Sequence, residues 1–153
     1  MNEVHFGGFW RRGAAFFIDQ IIISFLMLLI GVIFLQGYYA FDIGEFSLMS
    51  FMTASWFTAL FINLFYFTYF HGTSGQTPGK MIMDLKVIHA SGGKITLGTG
   101  FLRWVGCVIS ALFWGLGLIW IAFDRKKQGW HDKIAKTTVI RTINGGETPP
   151  PAA

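Results

Sequence analysis

An aspartate stands at position 19, inside an apolar run from Ala14 to Leu35 that only Gln20 and Ser24 otherwise interrupt. An ionisable group within such a run costs on the order of 2.5–3.5 kcal/mol at the centre of a membrane helix, and less toward its end. Burial disfavours the charged form of a carboxylate. A carboxylate that is protonated in one state and holds a cation in the other is the minimal element of cation–proton exchange, so Asp19 is the first candidate. Arg12 lies seven residues earlier, two helical turns away, and projects from about the same face with an axial offset of about 10 Å. By itself Arg12 reads as a headgroup anchor at the helix start. Asn63, the most polar residue within a second apolar run, falls near the depth of Asp19. It can offer an interhelical hydrogen bond to the carboxylate or a share in a ligand site.

The remaining polar motifs carry less chemistry. His131-Asp132 has the form of an acid–base dyad, but no nucleophile, oxyanion donor or second acid lies near it in sequence. The expected role is structural, with Asp132 capping a helix or pairing with the nearby basic run. Asp124 ends a third apolar segment and has Arg103 or Arg125 as its expected partner. His71 and His89 have no evident partners. The stretch GTSGQTPGK is not a phosphate loop, because Ser74 stands five before Gly79 and Met81 follows Lys80. It reads as a tight turn that sets Lys80 at anionic headgroups. No His-Glu-x-x-His or other metal-ligand spacing occurs, and the single cysteine, Cys107, allows no intramolecular disulfide. Neither a cofactor nor an enzymatic activity is expected. Basic residues are not interleaved with aromatics, which sets nucleic acid aside as a partner.

The elements that must hold these residues follow from composition. Of 153 residues, 53% are apolar and 13% charged, about half the charged share usual in a soluble domain. Seventeen phenylalanines fall in clusters, more apolar surface than a soluble fold of this size could hide. The chain is expected to be an α-helical integral membrane protein. Ala14–Leu35 suits one crossing and Leu48–Phe70 a second, joined by residues 36–47, which are aromatic and acidic and lack Lys and Arg. A cleaved signal peptide is not expected, since the first run is too long and no cleavage site follows. MIMDLKVIHA, SGG and KITL read as a β-hairpin outside the hydrocarbon, with KTTVIRT as a third short strand. Residues 142–153 read as a disordered Pro/Gly-rich tail.

Phe101–Phe123 is long enough for a third crossing, but Trp114-Gly115-Leu116-Gly117 interrupts it. Arg11 and Arg12, then Lys80, Lys86, Lys94 and Arg103, place the N-terminus and second loop in the cytoplasm by the positive-inside rule. A plain third crossing would put six further cations, from Arg125 to Arg141, outside. A broken, re-entrant element that returns the chain to the cytoplasm is preferred to three plain crossings. Such a bend must pack against protein.

Three signatures, in order, resemble the RDD family of bacterial membrane proteins, named for one Arg and two Asp. They are Arg12-Gly-Ala-Ala-Phe-Phe-Ile-Asp19, then Gly75-Gln-Thr-Pro-Gly79-Lys80, then Phe123-Asp124-Arg125 with Trp130-His131-Asp132 and Thr137-Thr-Val-Ile140. The likeness runs from about Gly8 to Arg141. The second family Asp maps to Asp124 or Asp132. The resemblance implies a multi-pass protein of the bacterial inner membrane and a transport role, with monovalent cation/proton antiport proposed for some members. Two firm crossings and a broken third element are too few to enclose a pathway, so transport needs a homo-oligomer, the preferred reading, or a larger partner. The alternative is an accessory or scaffold subunit whose basic cytoplasmic face meets anionic lipid or protein.

Overall fold

The computed structural model describes residues 5–40 and 47–142. Residues 143–153 of the tail expected to be disordered, and residues 41–46 of the acidic loop, lie outside them. Helix α1, Phe9–Ala40, has 32 residues and is about 48 Å long, against about 30 Å of hydrocarbon in a bilayer. The excess explains where its polar side chains fall. Arg11, Arg12, Asp19 and Gln20 all lie in the first twelve positions, and the twenty residues from Ile21 onward carry no charge. Helix α2, Leu48–Thr73, begins at Ser47, whose hydroxyl accepts the Ser50 N–H, and runs back along α1. Both are long and apolar enough to cross a membrane. Large apolar side chains such as Phe17, Phe25, Ile33, Trp56 and Phe65 cover their outward faces.

Helix α4, Leu97–Leu112, and helix α5, Leu116–Phe123, meet at a bend of 101°. Trp114 and Gly115 both take left-handed backbone there, with φ of 56° and 73°. Trp114 stands 92% exposed at the apex. The break expected at Trp114–Gly117 is therefore real, although the element as a whole reaches four residues further toward the N-terminus. Helix α4 lies hard against α2. At Gly100 a Cβ would collide with the Thr68 carbonyl and stand 3.0 Å from the Gly72 nitrogen, so only glycine allows this approach.

The polar end is closed by two single-turn helices and a small sheet. Helix α3, Pro78–Ile82, is capped by Thr77, and helix α6, Trp130–Ile134, begins at Gly129. Strand β1, Leu85–His89, pairs antiparallel with β2, Thr137–Arg141, with Val87 opposite Val139. This differs from the expected hairpin. The residues after the Gly92 turn do not return along β1. Instead Thr96 caps α4, its hydroxyl accepting the Thr99 N–H, and Ile95 packs on the core. The far edge of β2 is occupied by the N-terminal segment. Gly7 donates to the Val139 carbonyl at 2.9 Å, and Arg141 donates to the His5 carbonyl at 2.8 Å. Leu85, Val87 and Val139 are fully buried against Ala15 of α1. Apolar burial of this kind contributes about 1.5–3 kcal/mol per side chain and fastens the sheet to the first turns of α1.

Candidate functional site

Asp19 is 1% exposed and its oxygens are fully engaged. Oδ1 accepts the Gly79 N–H at 2.8 Å and the Tyr66 hydroxyl at 2.9 Å; Oδ2 accepts the Thr77 hydroxyl at 2.5 Å. Thr77 in turn caps α3 by accepting the Lys80 N–H. The sequence Thr77-Pro78-Gly79 is the means of this contact. Pro78 starts the helix without needing a partner for a missing N–H, and Gly79 leaves a free N–H facing the carboxylate. A Cβ at Gly79 would collide with the Ala15 carbonyl and stand 2.9 Å from the Asp19 carboxyl carbon. Asp19 thus holds α3 against α1. Asn63 does not reach it. Its side-chain oxygen accepts from Gln20 at 3.1 Å and its amide donates to the Ala59 carbonyl, so Tyr66 is the α2 partner of Asp19.

The second carboxylate is Asp132, 0% exposed and shared by two guanidiniums. Arg12 Nη1 donates to Oδ2 at 2.6 Å and Arg103 Nη1 to Oδ1 at 2.5 Å. Oδ2 also accepts the Gly129 N–H at 3.0 Å, which caps α6, and His131 Nε2 stands 3.5 Å from Oδ1. Burial alone would raise the Asp132 carboxyl. Arg103, His131, Arg12 and the Gly129 N–H outweigh it and hold the group well below the usual carboxylate range. Burial pushes the His131 imidazole down to about 4, against the pull of Asp132. Arg12 also donates from Nε to the Gly7 carbonyl at 2.9 Å, and Arg103 reaches the Thr137 hydroxyl. Arg12 is therefore a buried partner of Asp132 rather than a headgroup anchor. Its pairing leaves two positive charges on one negative one.

Asp124 is placed differently. It pairs with Lys133 at 2.7 Å, not with Arg103 or Arg125, and accepts the N–H groups of Lys126 and Gln128. The Lys133 hydrogen bond lowers its carboxyl, and the group closes a surface turn. Of the two candidates for the second family Asp, Asp132 is the one that meets Arg12.

Between α1, α2 and α4 lies a cavity of about 400 Å³, to whose wall Arg12, Asp19, Asn63, Lys80, Arg103 and His131 all contribute. Lys80 does not extend to headgroups. It turns inward onto His71, and burial, with repulsion from Arg103 and Arg12, brings its ammonium down to about 7. Cys107 lines the same wall. Four buried polar atoms around this cavity have no hydrogen-bond partner: Arg12 Nη2, Arg103 Nε, His71 Nδ1 and His131 Nδ1. Arg12, Asp19 and Asn63 thus come together on this wall, Asp132 joins them through Arg12 and Arg103, and Asp124 does not. Lys80, His71, Arg103 and Tyr66 belong to the site without having been singled out for it. No group of three or more His, Cys, Asp or Glu residues able to hold a metal occurs among the described residues.

The profile of the RDD family matches residues 6–136. The chain belongs to the RDD family. Three relatives from Bacillus subtilis (strain 168) extend the match over nearly its whole length. The uncharacterized protein YxaI is 33% identical over 145 residues, covering 87% of this chain and 95% of its own. The uncharacterized membrane protein YteJ is 35% identical over 137 residues, covering 88% and 80%. The uncharacterized protein YckC is 31% identical over 152 residues, covering 96% and 92%. No solved structure matches the chain. The family's first Arg and Asp, Arg12 and Asp19, stand in different networks of this RDD protein. Arg12 binds Asp132, and Asp19 binds α3.

Proposed function

We propose that this RDD protein is a subunit of a small, homo-oligomeric membrane transporter whose ligand occupies the cavity between α1, α2 and α4. The observation that carries the reading is the cavity itself, about 400 Å³, where three helices converge with charged side chains whose buried donors lack partners. A scaffold has no use for such a space. The sheet supports a cytoplasmic N-terminus, second loop and C-terminal strand together. Residues 5–7, β1 and β2 form one hydrogen-bonded unit, so the bent α4–α5 pair leaves from and returns to one side of the bilayer. Positive-inside bookkeeping makes that side the cytoplasmic face of the inner membrane. Exposed Leu112, Phe113 and Trp114 at the bend suit lipid or a second copy.

Cation–proton exchange through Asp19 gains least from this geometry, because its oxygens are taken by three donors and the surrounding charge is positive. The scaffold alternative draws on the exposed Arg125, Lys126 and Lys136. The test is flux in proteoliposomes with an internal pH dye, given Na⁺, Li⁺ or K⁺ pulses and then carboxylate or phosphate gradients. An Ala111→Trp variant, which fills the cavity from α4, should abolish a flux that wild type shows. No flux of any of these ions from oriented wild-type protein would leave the scaffold reading standing alone.

A further inference from the structure

The three helices that wall the cavity share one pattern. Each brings a basic residue at the end beside the loops and an apolar one a turn further along. On α1 these are Arg12 and Phe16; on α2, His71 and Phe67; on α4, Arg103 and Val108. The spacings are four or five residues, about 6–7.5 Å along a helix axis. Lys80 and His131 join the basic end from α3 and α6. At this end Arg12 Nη2 and Arg103 Nε are buried donors without acceptors, on side chains that are themselves 8% and 3% exposed. Unpaired buried donors of charged groups are expensive, and an acceptor that meets several at once removes that cost. A cation would face two guanidiniums and an ammonium, and the one carboxylate on the wall, Asp19, already accepts from three donors. A neutral apolar molecule would leave the donors unpaired.

We infer that the cavity is a site for an amphipathic anion, a carboxylate or phosphate whose oxygens meet Arg12, Arg103 and Lys80 and whose apolar part lies against Phe16, Phe67 and Val108. This deepens the proposed transport function by naming the ligand class, and it rests on that cavity being the ligand site. The same chemistry is offered by a free organic anion and by the headgroup of an anionic lipid. Lys80 has around it Arg12 and Asp19 of α1, His71 of α2, Arg103 and Cys107 of α4, and His131 and Asp132 of α6. Its ammonium is down to about 7 without an anion, so an arriving anion draws a proton onto it. Affinity therefore falls as pH rises past about 7.

The test is calorimetric titration of the whole protein in phosphatidylcholine nanodiscs with octanoate, acetate and inorganic phosphate. A parallel sample in nanodiscs containing phosphatidylglycerol is assayed for retained lipid by native mass spectrometry. Variants are Lys80→Met, Lys80→Arg, and the exposed Arg125→Met. Octanoate that binds more tightly than acetate, with proton uptake near pH 7, supports a free amphipathic anion. Phosphatidylglycerol retained where octanoate does not bind supports a lipid headgroup. In either case Lys80→Met should weaken binding about tenfold or more, the loss of one charge-assisted hydrogen bond. Lys80→Arg should keep it at higher pH, and Arg125→Met should leave it unchanged. Neither anion binding, or equal binding by wild type and a folded Lys80→Met protein, would overturn the inference. Flux without anion binding would overturn it while leaving transport standing; binding without flux would do the reverse.

Discussion

At the residue scale two carboxylates divide the work, and they differ in what opposes them. Asp19 faces neutral donors: two hydroxyls and one backbone N–H. Asp132 faces two guanidiniums. Removing one partner of a buried ion pair costs about 3–5 kcal/mol, because the other charge is left uncompensated. Asp132→Asn strands both Arg12 and Arg103, so its destabilisation should reach that range, whereas Asp124→Asn, which removes a surface ion pair with Lys133 and leaves an amide oxygen to accept the turn N–H groups, should cost less than about 1 kcal/mol. Denaturation of the two variants in one detergent measures the difference. The pH response follows from the same node. His131 titrates near 4 in the fold and near 6.5 unfolded, so between those values the unfolded chain holds more protons and stability rises with pH. Asp132, lowered below its unfolded value, extends the loss as pH falls further. Melting temperature should therefore drop as pH is taken from 6.5 to 4, and His131→Gln should flatten that part of the curve. These contacts were illegible in the sequence. Arg12 and Asp132 are 120 positions apart, and both Asp124 and Asp132 are followed by a basic residue, so neither stands out as the partner of Arg12.

At the scale of elements, what could be read was what local sequence decides. Two long apolar runs gave two helices, and Trp114-Gly115 gave the break because a chain with two successive left-handed residues cannot continue a helix. β1 and β2 were legible as strands but their partnership was not. The turn at Gly92 suggested a hairpin, whereas the pairing is settled by Leu85, Val87 and Val139 burying themselves together on Ala15. Sheet register across fifty residues is a matter of tertiary packing. The bend has a consequence that labelling can measure. In a Cys107→Ser background, cysteines at Ser91 and Lys126 should react with an impermeant maleimide from one side of the membrane, and a cysteine at Ser47 from the other. Position 126 reacting together with position 47 would make α4–α5 a full crossing.

For the whole molecule, one feature governs the order of events during biosynthesis. His5–Gly7 lie along β2, and Arg12 waits for Asp132, so residues 5–12 are completed by residues 132–141. By the time a ribosome has released Asp132, Arg12 has been out of the tunnel for 120 codons with no carboxylate to meet. The apolar and cationic side chains of residues 5–12 must be kept from other partners throughout that interval. A pause in translation before residue 132 prolongs it, and a membrane chaperone that holds this segment shortens its exposure. Of each such pair, the residue made earlier must wait for the one made later.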